Sequence, residues 1–363
     1  MRILHVVTLI SKDGAYGGPA RVASNQADAL AVDGHDVTIV AAGPAQHSRA
    51  SDLTVHLFEP RKLLPRIGFA GLSSPGLLRW IIREGRGFDV VHVHLARDLV
   101  TLPAAILFRA LGVRVVVQTH GMIDASDNAL AKPLDALLTK RVLRSASALF
   151  YLTPRERSDL IDVAGPGLAL VALTNGVPEL PERVGSDSVE VLFLARLHSR
   201  KRPELFAQMA EVLVPEFPTA AFTLVGPDEG EGAQIVRAQH VRWEGAIAPS
   251  QTAARMRRAS VYVLPSVDEP YPMAVLEAMA VGLPVVVTDS CGLAPEVASI
   301  GCGMVVPGDD VDALVGAVRK LLSSNALRDE MGTRGRAEVR RRFGTAAVAR
   351  TLEQHYEGER SHV

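Results

Sequence analysis

Glu269 and Glu277 stand with seven residues between them, in Glu269-Pro270-Tyr271-Pro272-Met273-Ala274-Val275-Leu276-Glu277. Pro270 and Pro272 keep the first glutamate in an extended segment, because proline fixes its own φ and disfavours helix in the residue before it. From Met273 onward Ala, Val, Leu, Glu and Met propagate a helix that Gly282 stops and Pro284 follows. Glu277 then lies on the first turns of that helix and Glu269 in the loop at its mouth. Between them the free backbone N–H groups of Met273 and Ala274 form a positive helix end suited to an anion. One carboxylate can hold sugar hydroxyls, the other ribose hydroxyls, and the helix end can face a phosphate. That is the layout of a nucleotide-sugar site; the competing reading is a capped surface helix with two solvated acids.

A second group lies in Leu194-Ala195-Arg196-Leu197-His198-Ser199-Arg200-Lys201-Arg202-Pro203. Arg196 ends an apolar strand and Lys201 stands at the entrance to the next helix. Ligands gather at the carboxyl ends of strands in open α/β sheets. Two cations there suit a diphosphate, the arginine by forked hydrogen bonds and the lysine as a compact charge. A solvated basic loop is the alternative.

The stretch through Glu277, continued by Ala278-Met279-Ala280 and Gly282-Leu283-Pro284-Val285-Val286-Val287, resembles the E-x7-E signature of retaining glycosyltransferases of family 4 and its EAMAxGxPVV continuation. The basic segment resembles that family's GRLxxxKG motif, whose Arg and Lys hold the leaving diphosphate and map to Arg196 and Lys201. Ala195 replaces the first glycine of the motif and Arg202 the second. Gly17-Gly18-Pro19 is similar to the family's GG[AP] loop, which implies donor contact for Gly17 and Gly18; an ordinary strand–helix turn is the alternative. Gln118-Thr119-His120-Gly121 matches a segment near the acceptor and reacting sugar, making His120 a candidate there against the plainer reading of a polar loop residue. Gly245 resembles the family's turn near the nucleobase. The resemblance thus implies Arg196, Lys201, Glu269 and His120 as catalytic. It implies Gly17, Gly18, Gly245, Met273, Ala274 and Glu277 as donor-binding. Segments at Thr153–Glu156, Asn175–Val177 and Ser290–Glu296 also match and are read as structural, with Thr153 an N-cap.

These residues need a scaffold. Val/Ile/Leu runs at 3–10, 36–42, 55–58, 89–94, 113–119 and 148–152 alternate with helical patterns such as 20–32, 99–111 and 130–144. A second series runs through 189–197, 221–225, 241–243, 261–264, 284–288 and 304–306. Near-continuous apolar strands separated by helices argue for parallel sheets covered on both faces. The fold class is α/β, two Rossmann-like doubly wound domains facing each other across a cleft, the GT-B plan that the resemblance also implies. The expected domains are 1–177 on the acceptor side, a polar, proline-rich linker at 178–188, and a nucleotide-sugar domain at 189–344. A last helix in 345–363 crosses back to the first domain, as in relatives.

The 363 residues carry 48% hydrophobic side chains, enough for two cores, and a net charge of −1 that calls for no nucleic acid. Only two cysteines occur, without ligand spacing, which fits a reducing, cytoplasmic setting and no structural zinc. The opening apolar run reads as a first strand rather than a signal peptide. Arg61–Phe69 mixes cations with apolar residues and can rest on an anionic bilayer, each cation contributing about 1 kcal/mol; an acceptor-side loop is the alternative. His92 and His94 share one strand face. His92 is read as structural, His94 as a candidate cleft residue, and a metal site there lacks partners. Asp309-Asp310 reads as a helix cap rather than a metal motif. No metal or cofactor is expected beyond the nucleotide sugar. The partners are that donor and a glycan, glycolipid or small-molecule acceptor, with a lipid-linked glycan and peripheral membrane contact as options. A nucleotide-sugar epimerase and a non-catalytic nucleotide-sugar-binding protein are the rival readings.

Overall fold

A computed structural model describes residues 1–10, 17–50, 53–63, 70–125, 131–184, 188–235 and 238–357. The chain divides into two compact units, Met1–Gly176 with Thr345–Val363, and Val177–Gly344.

The first unit is built on strands β1 (Arg2–Leu9), β2 (Asp36–Ala42), β3 (Gln46–Ala50) and β4 (Leu53–Phe58), followed by the short pair β5 (Arg61–Lys62) and β6 (Leu72–Ser73). It continues with β7 (Val90–His94), β8 (Arg114–Gln118), β9 (Ala148–Tyr151) and β10 (Leu170–Ala172). The main sheet runs β10-β9-β8-β7-β1-β2-β4-β3 and is parallel except for β3, which pairs antiparallel with β4; β5 and β6 form a separate ribbon. Strand alternation sends Leu4, Val6, Val91, Val93 and Val117 to one face, where they pack with Leu77, Ile81, Leu102 and Phe108. Ile3, Val7, Val90, Val116 and Phe150 face the other way. They meet Ala23, Ala27 and Leu30 of the Gly17–Val32 helix and Val348, Ala349, Leu352 and Tyr356 of the Thr345–Tyr356 helix.

The second unit holds β11 (Glu190–Leu194), β12 (Ala221–Val225), β13 (Arg242–Trp243), β14 (Val261–Leu264), β15 (Val285–Thr288) and β16 (Gly303–Val306). They form a fully parallel sheet in the order β13-β12-β11-β14-β15-β16. Phe193, Phe206, Tyr262, Met279 and Leu321 fill its core.

Three details depart from the sequence reading. Residues 178–184 of the expected linker lie on the second unit: Arg183 N–H donates to Val281 O at 2.7 Å and Val184 N–H to Arg257 O at 2.9 Å. The helix expected over 130–144 is broken into Ala131–Leu134, a π-helical turn at Asp135–Thr139, and Lys140–Ser145. The edge strand β3 has no apolar alternation to announce it. Asp310 does cap the Val311–Leu322 helix, accepting from Ala313 N–H at 2.8 Å, and Thr153 caps Pro154–Ala164 by accepting from Glu156 N–H at 3.2 Å.

An apolar sheet face also carries three imidazoles. His5 on β1 is in register with His92 on β7, and both are fully buried with His94. Burial pushes His5 down to about 3 from an ordinary 6.5 and holds His92 and His94 well below that value. The unfolded chain therefore takes up protons that the folded unit refuses. The stability these groups give is whole above pH 6.5 and is lost as pH falls from 6.5 toward about 3. Glu156 and Asp98, whose carboxyls burial pushes up, act in the opposite sense on rising pH. A difference measurement isolates the histidine. In a Trp243→Phe background, Trp80 fluorescence should show the urea midpoint of the first unit falling as pH drops below about 6.5. His5→Phe should reduce that slope by up to ~1.4 kcal/mol per pH unit. An unchanged slope would mean that His5 is charged in the folded protein.

Candidate functional site

In the second unit, strand order reverses between β11 and β14, and the candidate residues follow those two strand ends. Arg196 follows β11, and its Nη1 donates to both carboxylate oxygens of Glu229, at 3.0 and 2.9 Å. Lys201 Nζ pairs with Glu269 Oε2. Both side chains of this second pair are only 16% exposed, whereas Arg196 is 57% exposed, so solvent screens the arginine pair far more strongly. The sequence placed Lys201 and Glu269 in separate roles; the structure brings them together. Glu229 was not singled out, since nothing local marks it.

The loop that carries Lys201 is built from its own backbone. His198 Nδ1 accepts from Arg200 N–H at 3.1 Å, and Lys201 N–H donates to His198 O at 2.7 Å. The loop is tied to the glutamate segment twice: Val267 N–H donates to Arg200 O at 2.8 Å, and the Arg200 guanidinium donates to Asp268 O. Asp268 turns the chain at a φ of 47°, after which Glu269 pairs in extended form with Cys291. Gly292 N–H then donates to Glu269 O at 2.8 Å. A Cβ on Gly292 would sit 1.8 Å from Pro270 O, so this approach requires glycine. The Ser290–Glu296 turn thus backs the Glu269 segment.

The Met273–Ala280 helix starts after Pro272, with no side-chain cap, and Met273 and Ala274 are half-buried in its first turn. Glu277 is buried on the same helix, at 8% exposure. Gly245 adopts a φ of 76° and its carbonyl accepts from Gly226 N–H at 2.8 Å. Gly226, which the sequence reading passed over, lies so close to the Arg196 segment that a Cβ would fall 1.8 Å from Ala195 O.

In the first unit, strand order reverses between β1 and β7. Thr8 at the end of β1 donates to Asp98 at 2.6 Å, and Asp98 accepts from Val100 and Thr101 N–H at 2.7 and 2.6 Å. Arg97 forks onto Asp135 at 2.9 and 3.0 Å. His120 follows β8 with a φ of 54°, and its Nε2 lies 2.8 Å from His94 Nδ1. Below this turn is a carboxylate that the sequence reading took for structure alone. Glu156, 3% exposed, accepts from the Thr119 hydroxyl at 2.5 Å and from Gly121 and Leu152 N–H, each at 2.6 Å. His94, expected to face a cleft, is fully buried.

His5, His92 and His94 each offer a nitrogen within 4.8 Å of the other two, so the cluster has a third member that the sequence did not reveal. Gly18 is exposed with open space around it, and Gly17 opens the Gly17–Val32 helix; residues 14–16 of that turn fall outside the described residues. Arg61 and Lys62 are exposed on β5, and residues 64–69 of the proposed membrane loop also fall outside. No described helix is long and apolar enough to cross a membrane.

Residues 17–176 match the family model "Glycosyl transferase 4-like domain", and residues 181–338 match "Glycosyl transferases group 1". The chain belongs to the GT-B glycosyltransferases of the family 4 type. It is 26% identical over 357 residues to a D-inositol 3-phosphate glycosyltransferase of Kribbella flavida, covering 88% of this chain and 80% of that protein. Among solved structures, sucrose-phosphate synthase from Thermosynechococcus elongatus superposes with a TM-score of 0.75 at 20% identity, over 98% of each chain. Anabaena HepE in complex with UDP-glucose gives 0.73 at 16% identity, over 98% of this chain and 99% of that one.

The two departures of this glycosyltransferase from GRLxxxKG now have a physical account. Ala195 is outside the left-handed region, so the missing first glycine costs no strain. Arg202 sits at φ 55° and ψ 52°, where glycine is at ease and other residues lose roughly 1–2 kcal/mol. Its guanidinium offsets this by donating to Gly308 O and, at 2.7 Å, to Asp309 Oδ1. Gly292→Ala offers a sharper test of the loop. It should lower the stability of the second unit by about 1–3 kcal/mol in urea denaturation, through the forced shift of the Glu269–Pro270 backbone. Wild-type stability would show that the turn does not press on that segment.

Proposed function

We propose that this glycosyltransferase is a retaining enzyme that takes a hexose from a nucleotide-diphosphate sugar bound by the second unit. The acceptor is a glycan, glycolipid or small molecule bound by the first. The observation that carries this reading is the shielded Lys201–Glu269 pair, on loops leaving the two strands where the sheet order reverses. Lys201 and Arg196 take the diphosphate, with the first N–H groups of the Met273–Ala280 helix as further donors. The charge that develops on the leaving diphosphate is met by groups already fixed in place, which is the source of rate acceleration. Glu269 orients the donor sugar through its hydroxyls, Glu277 holds the ribose, and Gly245 lies beside the base. The carboxylates of Glu229 and Glu269 keep the two cations placed until phosphate oxygens take them over. His120 faces the reacting sugar and acceptor.

Support for the donor class comes from the E-x7-E spacing and from the bound UDP-glucose of Anabaena HepE. Retention is proposed from the same spacing, shared with retaining enzymes. The paired cations make a metal unnecessary, so chelator treatment should leave activity unchanged.

A thermal-shift panel of UDP-, GDP-, ADP- and TDP-sugars tests the donor site. A ligand at about 100 times its Kd should stabilise the protein by ~2.7 kcal/mol. One nucleotide class should give that shift. Lys201→Ala and Glu277→Gln should each weaken its binding about tenfold or more, through loss of a charged hydrogen-bonding group. Both variants binding and turning over like wild type would refute the assignment.

A further inference from the structure

Behind His120 runs a line of imidazoles that the donor and acceptor roles do not use. His120 Nε2 lies 2.8 Å from His94 Nδ1, and His94 Nε2 lies 3.0 Å from His5 Nδ1. Both nitrogens of His94 are therefore engaged by other imidazoles. A neutral imidazole donates with one nitrogen and accepts with the other. His94 is fully buried and burial holds it well below the ordinary histidine value, so it is neutral. The protons along His5, His94 and His120 must then all point the same way. Reversing them requires a proton to enter at one end and leave at the other. At the inner end His5 Nε2 is buried with no hydrogen-bond partner among the described residues, so none of them supplies or takes a proton there.

The geometry points to His94 as a positioning residue that fixes the tautomer and ring orientation of His120, commits its Nε2 to the protein, and leaves Nδ1 for the substrate. This rests on the reading of His120 as a substrate-facing residue. The ring geometry supports it: His94 and His120 lie near-coplanar and edge to edge, centroids 5.1 Å apart and planes at 11°, so that their in-plane nitrogens face each other. His92 braces the other side, its ring 4.5 Å from His94 at 11°, and its own Nδ1 lies 2.6 Å from the Tyr356 hydroxyl. Both His94 nitrogens and His5 Nδ1 are already taken by these contacts, which leaves His94 no nitrogen for a metal. The cluster is thus arranged as a hydrogen-bonded row rather than as a set of metal ligands.

Two substitutions separate the two ends of His94. An asparagine amide reaches about as far as Nδ1, and a glutamine amide about as far as Nε2. Both remove the ring, so they share any loss of packing. His94→Asn should keep kcat within about threefold of wild type, while His94→Gln should lower it about tenfold to hundredfold with donor KM nearly unchanged. Histidine-selective 15N NMR should show one tautomer of His120 in the wild type and a mixture or the opposite tautomer in His94→Gln. Equal losses in the two variants, with the His120 signals unmoved, would reduce His94 to packing and overturn the proposal. A stoichiometric metal ion that is lost in His5→Gln would overturn it as well. His120→Ala separates the two readings: wild-type turnover in that variant would refute the substrate-facing role of His120, while the NMR comparison still decides whether His94 sets its tautomer.

Discussion

A parallel strand is followed by a right-handed crossover, and the hand of that crossover sends successive helices to one face of the sheet for as long as the strands add in one direction. When the order reverses, the next helix goes to the opposite face, and the loops leaving the two adjacent strand ends part from each other. Both units reverse in this way, at β1 and β7 in one and at β11 and β14 in the other. The ends of these strands are places where polar side chains can meet a ligand without opening a core. Thr8 lies just before the end of β1, and Asp98, Arg196 and Glu269 follow β7, β11 and β14. In the second unit the parted loops are fastened to one another through Arg200 with Val267 and Asp268, and the loop after β15 joins them through Gly292 with Glu269.

Backbone strain collects at the same places. Among the described residues the non-glycine positions with positive φ are His120, Arg202 and Asp268, and each lies in a loop that carries or adjoins a candidate residue. A left-handed residue persists only where its surroundings hold it. Arg202 is held by its bonds to Gly308 and Asp309, Asp268 by Arg200 on its carbonyl, and His120 by His94 on its ring and by Glu156 beneath its turn. The replacement of a family glycine by Arg202 exchanges conformational ease for a tether between the Lys201 loop and the loop after β16.

The helix start at Met273 and the loop position of Glu269 were legible because proline and the helix formers act on their own neighbours. The parallel sheets were legible from their apolar runs. What escaped notice depends on distance along the chain. His5 gains meaning only through the β1–β7 register, which sets it against His92 and within reach of His94. Glu156 is an ordinary helix-start glutamate until the Thr119 and Gly121 donors arrive from another strand end. Residues 178–184 have the composition of a linker, yet the carbonyls of Leu180 and Glu182 accept from Arg336 and Arg257, and composition carries no record of which backbone groups are used.

The Thr345–Tyr356 helix also orders events in time. Its Val348, Ala349, Leu352 and Tyr356 complete the core around Ile3, Val7 and Phe150, but they are translated after the whole of Val177–Gly344. The unit begun first is therefore the unit finished last. At about 5–20 residues per second the wait is roughly ten to thirty seconds. Throughout it one sheet face of the nascent first unit has the Gly17–Val32 helix but lacks the rest of its cover, while the second unit, continuous in sequence, can close on its own. Synthesis of this chain thus passes through a stage in which a finished C-terminal body trails an unfinished N-terminal one, and that stage is where a chaperone would find apolar surface to hold.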